Sequence, residues 1–578
     1  MSARIGSSSV SCASAAEALL VCMEARGADV IFGNPGSSEI ALIEALADRG
    51  SPEFILGLTE PAAVGMADGY AAVTRRPAVV TVHAGPGLSN ALCALGNAQR
   101  GGTPLVVVAG QQDSRHLSQD PILSADLVAL ADQYCKSAVQ VARPEDVPAE
   151  FARSWDLART FPTGPTFLAV PMDVFGAGPV TVTPPAEFVV DVPAQAATIT
   201  LVLDLLRQAT APAVVAGDQA GMDGAEDMLS ALCAAIDAPL YAEPAAARMV
   251  LPFTDPAWRG YLPLSPSGVR AALADHDVVL VIGARPFTRW LHEDVAALSP
   301  EQTLVVADTR SFHPFPCHTV QVPASPAAFI RGLLDALGVD QVTKETSGLG
   351  TAAETAAEIA AEIAAESGAP LADAAQTAAA AGSPWEASVA IDVEGRRPTI
   401  PAALAALLAA LPSDAAVVDD SVTGEGYVRE ILERTGVAEY YSCKGGGLGW
   451  GVAFAVGVAR ARPSRPVLAI LGDGTLQYAA PALWTAAHLD LPVVFAVLRN
   501  DGYGILKWVE RSRRGDDAAA VGLDIEDPEA DLVALGQAYG VKAARADGVV
   551  QIAQLARAAW PGPYLIDIPV DRAVLDYE

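Results

Sequence analysis

Short apolar runs alternate with Ala-rich segments through the N-terminal third of the chain. The Ala/Leu-rich segment predicts a helix at Ala13 to Arg26, and apolar runs predict strands at Val30 to Phe32, Phe54 to Leu58, Ala78 to Val82 and Leu105 to Ala109. Such alternation is typical of a parallel sheet with helices on both faces. Because ligands of these sheets bind beyond the carboxyl ends of the strands, the residues that follow each strand are of functional interest.

The same alternation returns twice further along the chain. Strands are predicted at Ala213 to Ala216, Val278 to Ile282 and Thr303 to Ala307, and then at Ala416 to Asp419 and Tyr564 to Ile568. The predicted fold class is therefore α/β, with three doubly wound parallel-sheet domains.

Two stretches of different composition separate these domains. Residues near 180 to 193 are Pro-rich, and Thr343 to Pro384 consists mainly of Ala, Glu, Thr and Ser with few large apolar anchors, which favours a partly helical, exposed linker. The predicted organisation is a first domain at 1–185, a central domain at 192–340, an Ala/Glu-rich linker at 341–395 and a last domain at 396–578.

The stretch from Pro466 to Val509 carries the clearest chemistry. A strand at Val467 to Leu471 ends in Gly-Asp-Gly, a helix is predicted at Leu476 to Leu489, and a strand at Val493 to Leu498 ends in a second polar loop. The two loops offer Asp473, Asn500 and a backbone carbonyl, which are the hard oxygens that Mg²⁺ prefers, and amides at the helix start would face an anion. Taken alone, Gly-Asp-Gly is equally an ordinary turn between strand and helix.

Three strand ends of the first domain also carry polar residues. Ser37 and Ser38 follow the first strand, where either could simply cap the next helix. Glu60 follows the second strand, where a carboxylate is favoured by the helix dipole, and His83 follows the third. Since all three ends lie on one sheet edge, together they favour a site.

Composition narrows the possible partners. The net charge of -31 disfavours nucleic acid and anionic membranes as partners. No apolar run reaches the ~20 residues of a membrane span. The seven Cys residues show no CxxC spacing, so neither a disulfide framework nor a zinc site is indicated. Met1 to Ser14 lacks the features of a signal peptide, and the cytoplasm is the expected location.

Two features of the central domain do not match known ligand or metal motifs. The Gly-rich turn from Gly217 to Gly221 lacks GxGxxG, which favours a structural turn over a nucleotide site. His292 and Glu293 are not part of HExxH, so a zinc protease is not indicated.

The Gly-Asp-Gly motif followed by 25 residues and then Asn500 resembles the thiamin diphosphate (ThDP) motif of the ThDP-dependent decarboxylase superfamily. The segments FGNPGSSE, LTEPAAVGMADGYA, VHAGPGLSNALCALGNA, GGGLGWG and ALWTAA, with GQQ at Gly110 to Gln112, resemble benzoylformate decarboxylases. The resemblance runs from about Ala15 to the C-terminus, interrupted around 340 to 395. One departure is Arg499, since the family usually has Asn there.

The resemblance implies ThDP and Mg²⁺ as cofactors, a pyrimidine-binding first domain and a diphosphate-binding last domain. It implies that Glu60 engages the pyrimidine ring, that His83 transfers protons and that Ser37 contacts the substrate carboxylate. A second catalytic His falls at His292 with an offset of two residues. The implied metal ligands are Asp473, Asn500 and the main-chain oxygen of Gly502. The implied cofactor contacts are Asn34, Pro35, Glu60, Ser421, Thr423, Gly446, Leu448, Gly472, Asp473, Gly474, Thr475, Asn500, Tyr503, Gly504 and Ile505.

The activity expected from the resemblance is non-oxidative decarboxylation of a 2-keto acid to an aldehyde and CO2, with carboligation of aldehydes as a possible addition. Ile505 falls where benzoylformate decarboxylase has a small Ala, so a smaller or aliphatic substrate is expected. The alternatives are an acetolactate synthase-like carboligase, a 2-hydroxyacyl-CoA lyase and, from another class, an inactive ThDP-binding paralogue. In the family, Glu60 and Asp473 come from different subunits, which implies at least a homodimer and predicts a homotetramer.

Overall fold

The computed structural model describes residues 9–186, 188–310, 312, 314–339, 397–435, 439–515 and 521–572. The chain divides into two compact units, of which the first takes in the N-terminal part together with Cys443–Gly447 and the second takes in the rest of the C-terminal part. The predicted linker at 341–395 lies outside the described residues. Among the described helices, none has the length and apolar character needed to cross a bilayer.

The first sheet of the first unit is parallel, and its central strands are buried except for His83 at the end of β4, as expected for strands covered on both faces. Its strands are β2 (Val30–Gly33), β3 (Glu53–Leu56), β4 (Ala78–His83), β5 (Leu105–Gln111), β6 (Ala138–Gln140) and β7 (Thr166–Pro171), and an antiparallel pair is formed by β1 (Val10–Cys12) and β8 (Val180–Val182). Its helices are α1 (Ala15–Ala25), α2 (Ile40–Arg49), α3 (Glu60–Thr74), α4 (Ala84–Gly101), α5 (Leu127–Asp132), α6 (Val147–Arg159) and α7 (Met172–Gly176), with 3-10 turns at Ser37–Glu39, Ser114–Gln119 and Pro144–Asp146.

The strand order of this sheet, β3-β2-β4-β5-β7-β6, places the functional loops. From β2 the chain runs outward to β3 in one direction, and β4 and β5 continue in the other, so the order reverses between β2 and β4. A crevice opens at such a reversal, outside the carboxyl ends of the strands. The loops after β2 and β4 therefore face the crevice.

The second sheet of the first unit is also parallel, in the order β11-β10-β9-β12-β13-β14. Its strands are β9 (Pro212–Ala216), β10 (Leu240–Ala242), β11 (Trp258–Tyr261), β12 (Val278–Ile282), β13 (Thr303–Ala307) and β14 (His318–Val322), and its helices are α8 (Ala196–Gln208), α9 (Asp218–Met222), α10 (Glu226–Ala235), α11 (Pro266–Ala272) and α12 (Pro326–Leu337). The Gly-rich turn opens α9, and a Cβ atom on Gly217 would lie 2.4 Å from Glu243 Oε1. Protein side chains thus fill the space against this turn.

The second unit contains the third parallel sheet, in the order β16-β15-β17-β18-β20-β19. Its strands are β15 (Ala416–Asp420), β16 (Glu439–Ser442), β17 (Val467–Gly472), β18 (Val493–Arg499), β19 (Lys542–Arg545) and β20 (Tyr564–Pro569). Its helices are α13 (Ile400–Leu408), α14 (Glu425–Thr435), α15 (Trp450–Ala461), α16 (Asp473–Ala479), α17 (Ala482–His488), α18 (Gly504–Arg514), α19 (Leu532–Ala538) and α20 (Val549–Ala558). The order reverses between β15 and β17, so the loops after these strands again face the crevice.

The three parallel α/β sheets confirm the predicted fold class. The prediction of one helix at Leu476 to Leu489 was wrong, because α16 begins at Asp473 and a break at Ala480 and Pro481 separates it from α17. Proline has no N–H to donate inside a helix, which accounts for the break. The domain boundaries themselves stay a prediction.

Candidate active site

In the first unit, the buried carboxylate of Glu39 links the loops that follow β2 and β4. Glu39 accepts hydrogen bonds from the backbone N–H groups of Gly36 (3.0 Å) and Gly110 (2.6 Å) and from the Ser38 hydroxyl (2.9 Å). Its Oε2 lies 3.0 Å from His83 Nδ1, and Ser38 Oγ lies 3.0 Å from the same nitrogen. Because a carboxylate only accepts, Nδ1 is assigned as the protonated nitrogen, and Nε2 is left for proton transfer.

Sequence reasoning missed Ser38 and Glu39 as members of this cluster. Ser37, the predicted substrate contact, is exposed, whereas Ser38 is buried and contacts His83. A Cβ atom on Gly36 would lie 2.0 Å from the His83 ring, so only glycine fits between the two loops. A Glu directly after a Gly-Ser turn was the available signal, since a buried carboxylate needs several donors around it.

Glu60 is the first residue of α3 and is buried, with Pro61 next to it in the first helical turn. Asn90, which the sequence did not single out, donates to Glu60 Oε2 over 3.2 Å. Gly87 leaves room for this carboxylate, since a Cβ atom there would lie 3.0 Å from Glu60 Oε1.

The other predicted residues of the first unit lie at its surface. Asn34 is half-buried and donates to the Leu58 carbonyl over 3.4 Å, and Pro35 beside it is exposed. His292 follows β12, its side chain is 82% exposed, and Nε2 lies 3.1 Å from Asp294 Oδ1. Its hydrogen bond therefore goes to Asp294 and not to the cluster around His83.

The segment Cys443–Gly447 packs within the first unit through two anchors. Lys444 Nζ lies 2.6 Å from both Asp218 Oδ2 and Glu243 Oε1. Asn97 accepts from the Gly447 N–H (3.0 Å) and donates to the Gly447 carbonyl (2.9 Å). Gly446, which lies between the anchors, has a φ of +72 and open space where a Cβ atom would be. The anchors thus present the Gly446 backbone to an open side.

In the second unit, the loops after β17 and β18 meet at Asp473. Its Oδ1 accepts from the Gly474 N–H (2.8 Å) and its Oδ2 accepts from the Asp501 N–H (2.7 Å). Burial raises the pKa of Asp473 to about 6, although these two hydrogen bonds oppose the shift. Asn500 lies in the same loop, and its Oδ1 accepts from the Gly502 N–H over 3.3 Å.

The donor set of these loops fits a small hard cation. Among the described residues, no three His, Cys, Asp or Glu side chains come together to hold a metal ion. A cation at Asp473 would therefore also need amide and main-chain oxygens, which Asn500 and Gly502 possess. One carboxylate, one amide and one carbonyl leave coordination sites for diphosphate oxygens or water, as Mg²⁺ requires.

The remaining predicted contacts of the second unit surround these two loops. Ser421 donates to Asp419 Oδ1 over 2.6 Å, and Asp420 Oδ2 accepts from the Gly451 N–H over 2.9 Å. Burial raises the pKa of Asp419 to about 6 and that of Asp420 to about 8. Sequence reasoning missed both carboxylates, which brace the loop after β15. Gly474 and Thr475 are buried, and Leu448, Gly472, Thr423, Tyr503, Gly504 and Ile505 are half-buried.

Comparison with known proteins identifies the family. The thiamine pyrophosphate enzyme models match in three parts, the N-terminal TPP binding domain at 13–130, the central domain at 199–327 and the C-terminal TPP binding domain at 425–568. Benzoylformate decarboxylase of Pseudomonas aeruginosa is 30% identical over 557 residues, which cover 94% of this chain and 96% of the relative. A putative acetolactate synthase large subunit of Mycobacterium tuberculosis, IlvX, is 30% identical over 575 residues, covering 97% and 99%.

A solved structure agrees with these relatives. The ThDP-dependent 4-hydroxybenzoylformate decarboxylase of Rhodococcus jostii RHA1 superposes with a TM-score of 0.79 at 26% identity, covering 97% of this chain and 100% of that one. The three matched family models, on three parallel α/β sheets, identify a cofactor-dependent enzyme of the ThDP type. The chain belongs to the ThDP-dependent decarboxylase superfamily, among enzymes that resemble benzoylformate decarboxylase, and is a carbon–carbon lyase.

Proposed function

We propose that the protein catalyses the Mg²⁺- and ThDP-dependent decarboxylation of a 2-keto acid to an aldehyde and CO2. The observation that carries this proposal is the pairing of two groups at one sheet edge. A buried Glu60 begins α3, and a histidine held by Glu39 and Ser38 ends β4. Carbon–carbon cleavage at a keto acid needs a carboxylate for the cofactor and a proton donor for the product, and these residues supply both.

ThDP, when bound, supplies an electron sink for the pair of electrons that remains when CO2 leaves. The Glu60 carboxylate would hold a proton at the pyrimidine ring, and the helix N-terminus together with Asn90 would keep it oriented. The Gly446 carbonyl would accept a hydrogen bond from the pyrimidine amino group. The anchors at Lys444 and Gly447 fix the backbone on either side and would hold this carbonyl in place.

His83 would transfer the proton that completes the aldehyde. Glu39 holds Nδ1, so the imidazole keeps one orientation and exchanges its proton at Nε2. The half-buried setting of His83 also limits water near the reacting carboxylate, and exclusion of water disfavours the charged starting state relative to loss of CO2. Ser37 is proposed as the contact for the substrate carboxylate, and His292 as a second proton-transfer group.

Asp473, Asn500 and the Gly502 carbonyl are proposed to hold Mg²⁺, with the remaining coordination sites directed to the diphosphate. Ser421 and Thr423 after β15, and the N–H groups that begin α16, would bind the diphosphate oxygens.

A complete site is proposed to need two copies of the chain, as a homodimer at least and as a homotetramer in the full assembly. Large apolar side chains support this assembly in the first unit, since Ile40 is 51% exposed and Leu58 is 38% exposed. Both lie beside the polar strand ends that carry Glu39 and Glu60. Exposed apolar groups beside a polar site are typical of a surface that a partner covers.

The substrate is proposed to be smaller than benzoylformate, or aliphatic. Ile505 is half-buried at the start of α18, and added methyl groups in a fitted pocket typically cost about 1 to 3 kcal/mol. The Ile505→Ala variant should raise the ratio of benzoylformate turnover to aliphatic keto acid turnover by about tenfold. An unchanged ratio would contradict this part of the proposal.

Carboligation in the manner of acetolactate synthase is the second candidate, because a relative with that printed name matches over 97% of this chain. A panel of 2-keto acids, supplied with ThDP and Mg²⁺ and followed by mass spectrometry, distinguishes the two. Release of CO2 with an equal amount of aldehyde supports decarboxylation, whereas a coupled hydroxyketone or acetolactate supports carboligation. Absence of turnover across the panel would contradict both.

A further inference from the structure

Arg499 occupies the position where the family usually has the first of two Asn residues, directly before the proposed metal ligand Asn500. It ends β18 and is among the largest fully buried side chains of the described chain. Its Nε lies 2.9 Å from Asp567 Oδ1, and its Nη1 lies 2.8 Å from Asp501 Oδ1 and 2.5 Å from Glu529 Oε1. A guanidinium in this position therefore ties three carboxylates together.

Asp501 is the centre of this arrangement, because three arginines converge on its carboxylate. Oδ1 accepts from Arg499, and Oδ2 accepts from Arg397 (2.6 Å) and from two nitrogens of Arg572 (2.6 and 3.0 Å). Both oxygens of the Asp501 carboxylate are therefore paired with guanidinium groups.

The same residue forms the turn between the two proposed ligands Asn500 and Gly502. Its φ of +57 lies in the left-handed region, which Asp and Asn adopt more readily than most other non-glycine residues. The turn directs the Asp501 N–H to Asp473 Oδ2 over 2.7 Å. The Asp501 carbonyl accepts in turn from the Ile525 N–H over 2.9 Å. The side chain of Asp501 is thus held on one side of the turn while its amide orients a metal ligand on the other.

Two of the three arginines come from segments far from this loop along the chain. Arg397 precedes α13, and Arg572 follows β20. The Asp571 N–H donates to the Pro398 carbonyl over 2.8 Å, which brings these ends together. The loop between Asn500 and Gly502 is thereby tied to the segments that precede α13 and follow β20.

We propose that Arg397, Arg499 and Arg572 form an arginine clamp on Asp501, and that this clamp positions the Asn500–Gly502 loop and Asp473 for a divalent cation. The residues of the clamp are positioning residues, since they act on the cation through the backbone of the loop. The inference rests on the proposed function, because it concerns the proposed metal site. Outer partners that orient metal ligands typically contribute about 10- to 100-fold to metal affinity.

The test uses the full-length protein with saturating ThDP and measures Mn²⁺ affinity by electron paramagnetic resonance, with Mn²⁺ as the probe for the cation site. The Asp501→Asn variant keeps the size of the side chain and the tolerance of a left-handed φ, but it removes the charge. Its Mn²⁺ dissociation constant should rise about tenfold or more. Arg572→Gln should raise it less, because Arg397 and Arg499 remain. Circular dichroism confirms that each variant is folded.

Arg545→Gln is the matched control. Arg545 belongs to the same charged network, but it pairs with Asp567 (2.8 Å) and Glu529 (3.6 Å) rather than with Asp501. Its exposure of 41% is close to the 46% of Arg572. The clamp predicts an unchanged Mn²⁺ affinity for this variant.

The possible outcomes separate the clamp from the proposed function. Wild-type affinity in both Asp501→Asn and Arg572→Gln would overturn the clamp and leave the metal site intact. Equal losses in Arg545→Gln and Arg572→Gln would also overturn it, since loss of any network charge would then be enough. Absence of Mn²⁺ binding in the wild type would overturn the proposed metal site and the clamp together. If Asp501→Asn does not fold, Arg572→Gln and Arg545→Gln decide the question.

Discussion

Each of the two units contains a buried ionic cluster that holds one of its own candidate loops, and the two clusters are built in opposite ways. In the first unit, Lys444 is a single cation between Asp218 and Glu243. In the second unit, three arginines surround the one carboxylate of Asp501. Among the described residues, Glu243 Oε2 is buried without a hydrogen-bond partner, whereas both oxygens of Asp501 are paired.

The difference appears in the pKa of each carboxylate. Burial raises the pKa of Glu243 to about 7, although Lys444 opposes the shift, whereas the pKa of Asp501 is lowered by its arginines. Two carboxylates share one lysine in the first cluster, so the ion pairs that hold the Gly446 segment should depend on pH near neutrality. Three arginines share one carboxylate in the second cluster, so Asp501, beside the proposed metal ligands, should stay charged over the same range.

Removing the lone cation should have the largest effect. In Lys444→Met, the buried carboxylates of Asp218 and Glu243 lose the lysine that pairs with both, and breaking a buried ion pair typically costs about 3 to 5 kcal/mol. We expect the free energy of unfolding of the first unit, measured by urea denaturation, to fall by that amount. The triple variant Lys444→Met/Asp218→Asn/Glu243→Gln should recover most of the loss. A loss below about 1 kcal/mol in the single variant would show that the cluster does not brace the segment.

The second prediction concerns pH. Because the pKa of Glu243 is raised from 4.5 to about 7 on folding, the stability that its proton provides is complete below about pH 4.5 and is lost as the pH rises through about 7. The free energy of unfolding of the wild type, relative to that of Glu243→Gln, should therefore fall by about 2 to 3 kcal/mol between about pH 5 and pH 8. Urea denaturation across this range measures it, and a constant difference would contradict it.

Asp501→Asn provides the contrasting control for the pH experiment. Since the pKa of Asp501 is lowered on folding, its contribution is present above its unfolded value near 4 and is lost only as the pH falls below that value. The charge of Asp501 also contributes to the raised pKa of Asp473, which is about 6, so the difference between wild type and Asp501→Asn should stay constant above that value, between about pH 7 and pH 8. If this difference fell with pH as steeply as the difference between wild type and Glu243→Gln, the two clusters would not differ in their response to pH.

The smallest effect is expected at the rim of the clamp. The side chain of Arg572 is 46% exposed, and exposed ion pairs contribute about 0.2 to 1 kcal/mol. Arg572→Gln should lower the free energy of unfolding by no more than that, and the difference should shrink further at about 1 M salt, where exposed charges are screened. A loss of free energy of unfolding that persists at high salt would indicate that Arg572 acts as a buried charge and not as an exposed one.

The sequence predicted the elements that depend on local pattern. The strands around Val467 and Val493 were predicted within one residue at each end, because buried parallel strands read as continuous apolar runs. The helix after Asp473 was predicted too far along the chain and without its break, because apolar periodicity hides the effect of Pro481. The motif spacing also indicated that Asp473 and Asn500 lie in neighbouring loops.

The missed residues depend on contacts between distant parts of the chain. Lys444 is 226 residues from Asp218, and neither carries a local signal of the other. Glu39 follows a Gly-Ser turn, but its partners Gly110 and His83 come from parts of the chain 71 and 44 residues away. The departure at Arg499 was visible in the motif, but its meaning required Asp567, 68 residues further on. Pairings of this kind belong to the tertiary structure, so pattern reasoning does not reach them.

The central claim is that Glu60 supports cleavage of a 2-keto acid at this site. The most direct test measures CO2 release from the best substrate of the keto-acid panel by wild type and by Glu60→Gln, each saturated with ThDP and Mg²⁺ and shown to bind both. We expect the wild type to release CO2 and aldehyde in equal amounts, and Glu60→Gln to be slower by about 100-fold or more. Equal rates in the two proteins, or a cofactor-loaded wild type that releases no CO2 from any keto acid, would contradict the claim.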